Sequence, residues 1–153
     1  MLFVIARDNE NEAIAQEIRT RFPDTLIGLA PLAVTQGEPD ARWQLADQLG
    51  RIASPNSSVD SSLLAFAEDE HEYVRRRALM ALARRGSPAV EELARRAWTL
   101  PVEEQEYSRM AALWSLHRID SPILGPLLDE AERDHRQYLS AYARKVRRGE
   151  VDL

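Results

Sequence analysis

The chain has 153 residues, of which 44% are hydrophobic and 29% are charged, and its formal net charge is −5. This length and balance predict one soluble domain with a hydrophobic core of its own. The absence of cysteine excludes a disulfide framework and thiolate chemistry, and the negative charge disfavours a dedicated nucleic-acid-binding protein, because phosphate contacts need a basic field.

The amino-terminal segment is irregular. Residues 1–6 are apolar, which is too short for a secretion signal or a membrane span, and they are compatible with a short strand or an extra helical turn. Residues 9–22 carry apolar side chains at helical spacing, and residues 23–34 predict a partner helix that Gly28 and Pro31 interrupt. We expect residues 1–37 to form a degenerate N-terminal cap of the repeat array. We also expect the protein to be cytoplasmic.

The middle of the chain repeats itself. Residues 72–88 read EYVRRRALMALARRGSP, and residues 106–122 read EYSRMAALWSLHRIDSP, 34 positions later. A weaker copy at residues 42–55 precedes the first of these by 33 positions. Three copies of L-x-R-x-x-S-P in one register predict an array of structural repeats.

Each copy has the features of two helices joined by a turn. An alanine and two leucines lie at helical spacing in the two clearest copies: Ala78, Leu79, Leu82 and Ala112, Leu113, Leu116. The small alanine permits close approach of a neighbouring helix. Gly86 suits a helix end with positive φ, a place that Ala53 and Asp120 occupy in the other copies. The following Ser-Pro predicts the start of the second helix, with serine as the cap.

The second helices and a closing helix complete the predicted architecture. Second helices are expected over residues 59–67, 89–98 and 122–133, with Pro126 delaying or kinking the last. The fold class predicted is all-α, a right-handed α-solenoid of about four helix pairs plus a closing C-terminal helix. The predicted units within this single domain are residues 38–69, 70–104 and 105–134, followed by a capping helix over 135–150.

The first-helix pattern resembles HEAT-like repeats in their short, bilin-lyase-like form. That pattern reads acidic-x-x-Val-Arg-x-x-Ala-x-x-Ala-Leu, and residues 70–82 match it best, through Val74, Arg75 and Ala78. Ser108 and Ser115 replace the valine and an alanine in the third copy. The resemblance covers about residues 38–134. It implies a scaffold that binds another macromolecule along a curved surface. It also implies that catalysis is not expected, since few proteins of this kind are enzymes.

The sequence offers little that suggests catalysis. His71, His117 and His135 lack a metal-binding spacing, and the chain has neither a glycine-rich phosphate loop nor a G-x-S-x-G motif. Its many carboxylates are typical of the solvated faces of amphipathic helices. We therefore predict no catalytic residue, no metal and no cofactor.

Two sets of residues are candidates for special roles. Arg42, Arg75 and Arg109 share one repeat position, which predicts a structural ladder across stacked repeats rather than a ligand clamp. In stacked helix pairs the second helices commonly line the concave side, and their positions outside the core predict a mostly acidic ridge for partner binding: Glu91, Arg95, Trp98, Asp129 and Glu132.

The aromatic residues allow more than one interpretation. Trp98 could belong either to the core or to the groove, whereas Trp114 is expected in the core. Tyr73 and Tyr107 share a repeat position and are expected to pack between units. An exposed Trp43 would suggest a contact surface.

The function predicted is a non-catalytic protein-binding module, either an adaptor or an immunity protein that neutralises a toxin. The acidic ridge favours a protein partner with a basic patch, and the chain is expected to be a monomer or weak homodimer without membrane contact. The alternatives are a DNA-repair-type helical repeat protein, which would need a basic channel, a tetrapyrrole lyase-like enzyme, and a purely structural oligomer.

Overall fold

The computed structural model describes residues 1–8, 10–100 and 102–152, and of residues 102–105 it describes the backbone alone. Within these ranges the chain is helical throughout and contains no strand. The ten helices of the described part are α1 (Leu2–Arg7), α2 (Ala13–Arg21), α3 (Pro23–Gln36), α4 (Pro39–Leu49), α5 (Ser57–Phe66), α6 (Glu72–Arg84), α7 (Val90–Trp98), α8 (Val102–Arg118), α9 (Leu124–Glu132) and α10 (Gln137–Arg147). The all-α prediction is confirmed.

The helices form two layers. In the first layer α4, α6, α8 and α10 pack side by side in chain order, and α1 and α2 pack against α4. The second layer holds α3, α5, α7 and α9, each of which packs against the first-layer helix of its own pair. Helices α7 and α9 also reach the next first-layer helix, α8 and α10 respectively. This arrangement is an α-solenoid, as the repeats predict; the unit boundaries within it stay a prediction.

The repeated alanine and leucines form the core between the layers. Ala78, Leu82, Leu113 and Leu116 are fully buried, and Leu79 is nearly so. Their counterparts in the first copy, Leu45, Ala46 and Leu49, are also fully buried. The stripe therefore faces inward in all three copies, and burial of its apolar area, at about 25 cal/mol per Å², stabilises the contact between repeats.

Two first-layer helices end in the way the sequence predicts. Gly86 has φ of +66° and Asp120 has φ of +52°. After each of them a serine N–H donates back to a leucine carbonyl of the last turn, Ser87 to Leu82 at 3.0 Å and Ser121 to Leu116 at 2.9 Å. This is the Schellman arrangement, which satisfies carbonyl groups at a helix end.

The Ser-Pro corners differ from the prediction. Helices α7 and α9 begin at Val90 and Leu124, after a separate turn in which the Ser87 and Ser121 carbonyls accept from the N–H groups of those two residues. The serine hydroxyls accept from the backbone N–H groups of Ala89 and Ile123 at 3.3 and 3.4 Å, so each serine caps this turn, and the α-helix begins after it. In the first copy the cap is Asn56, whose Oδ1 accepts from the N–H groups of Ser58 and Val59 at 3.0 and 3.2 Å.

The amino-terminal unit is more regular than the sequence predicts. Residues 1–6 contribute to helix α1 rather than to a strand, and Ile5 and Ala6 are buried. Helix α3 runs without a break through Gly28 and Pro31. Proline has no backbone N–H to donate, so one carbonyl of the preceding turn lacks its helical partner. Because Pro31 is exposed, water can donate to that carbonyl instead. Asn9, the expected start of the second helix, lies outside the described residues.

Candidate functional site

Three repeat-equivalent arginines lie at the loops that join one repeat to the next: Arg42, Arg75 and Arg109. Arg42 Nε is 2.9 Å from Asp69 Oδ2, and its Nη1 donates to the Gly37 carbonyl at 3.1 Å. Arg75 Nη1 donates to the carbonyls of Asp69 and Glu70, at 2.7 Å in each case. Arg42 and Arg75 thus meet at the same loop from two successive repeats.

Arg109 makes the corresponding contacts in the last full repeat. Its Nε donates to the Trp98 carbonyl at 3.0 Å, and its guanidinium lies 4.6 Å from the centroid of the Trp98 ring. Its Nη1 is 3.2 Å from Glu130 and 3.5 Å from Asp134. Burial lowers the pKa of Arg109, although the two carboxylates oppose this shift.

The acidic partners of this ladder also start the next first-layer helix. Asp69 Oδ1 accepts from the His71 N–H, and Asp134 Oδ1 accepts from the Arg136 N–H, both at 2.9 Å. The Arg136 guanidinium also binds Asp134 directly, which holds the pKa of this carboxyl well below its usual range. Because these contacts lie within the chain, they support a structural role for Arg42 and Arg109.

The residues of the predicted acidic ridge lie in different environments. Glu91 accepts a hydrogen bond from the Ser121 hydroxyl at 2.5 Å, while Arg95 is exposed on α7. Trp98 is only 6% exposed and lies beneath Arg109. Of the two interpretations that the sequence left open, the structure places Trp98 in the core.

The other two ridge residues share an arginine from the closing helix. Arg147 Nη2 is 2.5 Å from Asp129 Oδ1, and its Nε is 2.6 Å from Glu132 Oε1. This ion pair attaches α10 to α9. It also neutralises much of the negative charge on which the predicted affinity for a basic partner depends.

A different surface lies on the first-layer helices, and we call it the arginine–aromatic surface. Its residues are Tyr73, Arg76, Met80, Tyr107, Met110 and Tyr142. The Arg76 guanidinium lies between two rings, 4.6 Å from the centroid of Tyr73 and 5.2 Å from that of Tyr107. Tyr107 is 55% exposed. Beside it a shallow cavity of about 140 Å³ is lined by Met80, Met110, Tyr142 and buried Trp114, among others.

A second aromatic cluster supports this surface from α4. The rings of Trp43 and Tyr73 meet edge to face, with centroids 5.1 Å apart, and Arg77 lies 5.3 Å from the Trp43 ring. Trp43 is buried, and its Nε1 donates to Asp40 at 3.2 Å. The exposed Trp43 that would have suggested a contact surface is therefore not observed.

The shared repeat position of Tyr73 and Tyr107 predicts packing between units, and it does not by itself indicate the surface that they form. A signal was present in the spacing. Tyr73, Arg76 and Met80 lie at positions i, i+3 and i+7 of one helix, and Tyr107, Met110 and Trp114 repeat that spacing. This stripe lies beside the alanine–leucine stripe.

A buried carboxylate lies at the inner edge of this region. Asp47 is only 1% exposed. Its Oδ2 accepts from Arg51 Nε at 2.9 Å and its Oδ1 from Arg84 Nη1 at 2.8 Å, while Arg77 Nη1 lies 3.7 Å away. Burial opposes ionisation of Asp47, but Arg84 and Arg51 outweigh it and lower the pKa of the carboxyl.

Among the residues whose side chains are described, no group of three His, Cys, Asp or Glu is placed to hold a metal ion. Across the same described part, no helix has both the length and the apolar character needed to span a bilayer.

The two-layer stack of helix pairs defines an α-solenoid built from repeats. A family model described as HEAT repeats matches residues 26–104 and 59–145. Because these matches cover well over half of the chain, the protein belongs to the HEAT-repeat family, whose members are typically non-enzymatic and often mediate protein interactions. Neither the curated proteins nor the solved structures contain a match to the chain.

Proposed function

We propose that this protein is a non-catalytic protein-binding module and that the arginine–aromatic surface is its contact surface. The observation that carries the proposal is the Arg76 guanidinium held between Tyr73 and the exposed Tyr107. Tyrosine, arginine and methionine are enriched in the cores of protein interfaces, and tyrosine and arginine dominate their hot spots.

The surface is also held in place before any partner arrives. Arg76 Nε is 3.0 Å from Glu72 Oε1, and the same carboxylate accepts from the Ser108 hydroxyl at 2.6 Å. The ion pair and the two rings restrict the rotamers of Arg76, so that binding costs less side-chain entropy. Met80 and Met110 beside it are flexible side chains that adapt to the shape of a partner.

The ridge of Glu91, Arg95, Asp129 and Glu132 remains a second candidate, for a partner with a basic patch. Arg147 already pairs with Asp129 and Glu132, so a basic partner would have to displace it or contact the ridge as it stands. The arginine–aromatic surface needs no such exchange, and we favour it for this reason.

An adaptor role and a toxin-neutralising role both require only one rigid complementary surface. They differ in the effect on the bound partner. An immunity protein abolishes the activity of the enzyme that it binds, whereas an adaptor leaves that activity in place. Assaying the captured partner with and without an excess of this protein separates the two roles.

The proposal is tested by affinity capture from the native lysate with three versions of the full chain. The variant Arg76→Ala/Tyr107→Ala is compared with the wild type and with Tyr138→Ala, a tyrosine on α10 that is 73% exposed and lies outside the surface. We expect the wild type and Tyr138→Ala to retain one stoichiometric partner and the double variant to lose it at least about tenfold. Absence of a stoichiometric partner, or equal capture by all three, would contradict the proposal.

A further inference from the structure

Four arginines converge on one cleft at the turns that follow the first-layer helices. The cleft has a volume of about 550 Å³, and its arginines are Arg51, Arg84, Arg85 and Arg118.

The repeat explains why these arginines meet. Arg51, Arg84 and Arg118 occupy the same position of the motif L-x-R-x-x-S-P in the three copies. Stacking the repeats side by side places the ends of α4, α6 and α8 next to one another. Arginine near a helix C-terminus is favoured by the helix dipole, which accounts for one cation per helix. Arg85, the C-cap residue of α6, adds a second cation at the end of that helix and a fourth to the cleft.

The four side chains differ in how far their charge is already satisfied. Arg85 is held by Asp60 at 2.6 Å and by the carbonyls of Ile52 and Ser54, so it forms the floor of the cleft. Arg51 and Arg84 share a single carboxylate, that of Asp47.

Arg118 is exposed at the end of α8, and no partner for its side chain is found among the described residues. The cleft thus has four guanidinium groups against the two carboxylates of Asp47 and Asp60. This leaves an excess of positive charge in a chain whose net charge is −5.

We propose that this cleft binds carboxylates of an acidic segment of a partner protein. Guanidinium groups bind carboxylates through charge-assisted hydrogen bonds, and Arg84 and Arg51 each donate one such bond to Asp47 within the chain. A nucleic acid is disfavoured, because a long polyanion would extend beyond the cleft over a chain whose net charge is −5.

Arg84 and Trp114 link the cleft to the arginine–aromatic surface. Arg84, which lines the cleft, lies 5.3 Å from the ring of Trp114, and Trp114 lines the cavity beside Tyr107. The inference rests on the proposed function in one respect, namely that the acidic segment belongs to the partner that covers the arginine–aromatic surface. Aromatic contacts would then supply affinity, and the cleft would select partners with an acidic segment beside their apolar contact.

The test uses a dye-labelled hexaglutamate peptide as the probe and the full chain as the receptor. Binding is followed by fluorescence anisotropy at low ionic strength, and then with added sodium chloride. We expect saturable binding that weakens with salt and that falls about threefold to tenfold in Arg118→Gln. The matched control is Arg133→Gln, an exposed arginine at the opposite edge of the stack, which we expect to bind as the wild type does.

Several outcomes would overturn the inference. The first is the absence of saturable binding, and the second is equal binding of the peptide by Arg118→Gln and the wild type. The third is that a single-stranded oligonucleotide of equal charge binds more tightly than the peptide does. Displacement of the peptide by an equal concentration of inorganic phosphate would also overturn it, because the site would then be a phosphate site. The peptide itself has no aromatic side chain, so its binding to the cleft does not depend on the arginine–aromatic surface. Failure of this test and failure of the proposed function are therefore distinguishable.

Discussion

Gly50 and Ala81 bring the end of α4 into backbone contact with α6. A β-carbon added to Gly50 would lie 2.5 Å from Ala81 Cβ and 2.6 Å from Ala81 Cα. Gly50 has an ordinary right-handed conformation with φ of −61°, so the need for glycine here arises from close approach and not from the backbone angle.

Replacement of Gly50 by alanine is expected to separate the two repeats. Gly50→Ala should lower the free energy of unfolding by about 2 kcal/mol, because the added methyl group has no space between α4 and α6. Gly28→Ala is the matched control, since nothing lies within 4 Å of the added carbon on the exposed side of α3. It should raise stability by about 0.5–1 kcal/mol. Urea unfolding followed by circular dichroism measures both changes, and equal changes would contradict the close contact.

The arginine ladder predicts that lysine cannot replace Arg109. Lysine has no planar fork, so it cannot donate to the Trp98 carbonyl while it pairs with Glu130. Arg109→Lys should therefore lower the free energy of unfolding by about 1–2 kcal/mol. Arg133→Lys, at an exposed position at the end of α9, should have almost no effect. A ladder without structural importance would give the same result for both variants in urea unfolding.

The lowered pKa of Asp47 predicts that this residue stabilises the fold at neutral pH and not in acid. Its pKa is lowered in the folded state from the ordinary value of 3.8, so the contribution is complete above that value and is lost as the pH falls through the lower, folded pKa. Asp47→Asn leaves Arg84 without its carboxylate and should cost about 3 kcal/mol at neutral pH. The difference between wild type and variant should shrink below about pH 4.

The control for this experiment is Asp120→Asn, because asparagine also tolerates the positive φ of that exposed position. Unfolding free energies at several pH values measure the change in each variant. A difference between the wild type and Asp47→Asn that does not change with pH would show that ionisation of Asp47 does not stabilise the fold.

The raised pKa of Tyr142 predicts that the free energy of unfolding falls as the pH rises in the alkaline range, whereas the contribution of Asp47 is lost as the pH falls. Burial raises the pKa of its hydroxyl from 10.0 to about 12. Between these values the unfolded chain releases the proton while the folded chain keeps it, so the free energy of unfolding falls as the pH rises through this range. Tyr142→Phe lacks this loss and should therefore gain stability relative to the wild type as the pH rises from about 10 to about 12. The exposed Tyr138→Phe serves as control, and an equal gain in both variants would contradict the assignment.

Periodicity was enough to predict the helices and the core, because each repeat places its alanine and leucines toward its neighbours. It could not predict the role of Asp47, which lies at the repeat position of Met80 and Trp114 and is charged where those residues are not. Its partners Arg51 and Arg84 come from two helices, and only the packed stack brings them together. The ion pairs of Arg147 with Asp129 and Glu132 depend in the same way on how α10 packs against α9.

The helix ends show a similar limit. Gly86 and Asp120 were predictable, because a short sequence signal determines the local backbone angle. The continuity of α3 through Pro31 was not predictable from the same kind of signal. Whether a helix tolerates proline depends on whether the affected carbonyl faces water or the core, which is a property of the tertiary structure.

Photo-crosslinking from the arginine–aromatic surface shows whether a partner protein binds there. The benzophenone amino acid p-benzoylphenylalanine is placed at position 107 of the full chain, and in a second sample at position 138, and both are irradiated in the native lysate. We expect one adduct of defined mass from position 107 and none from position 138. Equal adducts from both positions, or an adduct from position 138 alone, would show that partners do not bind at the arginine–aromatic surface.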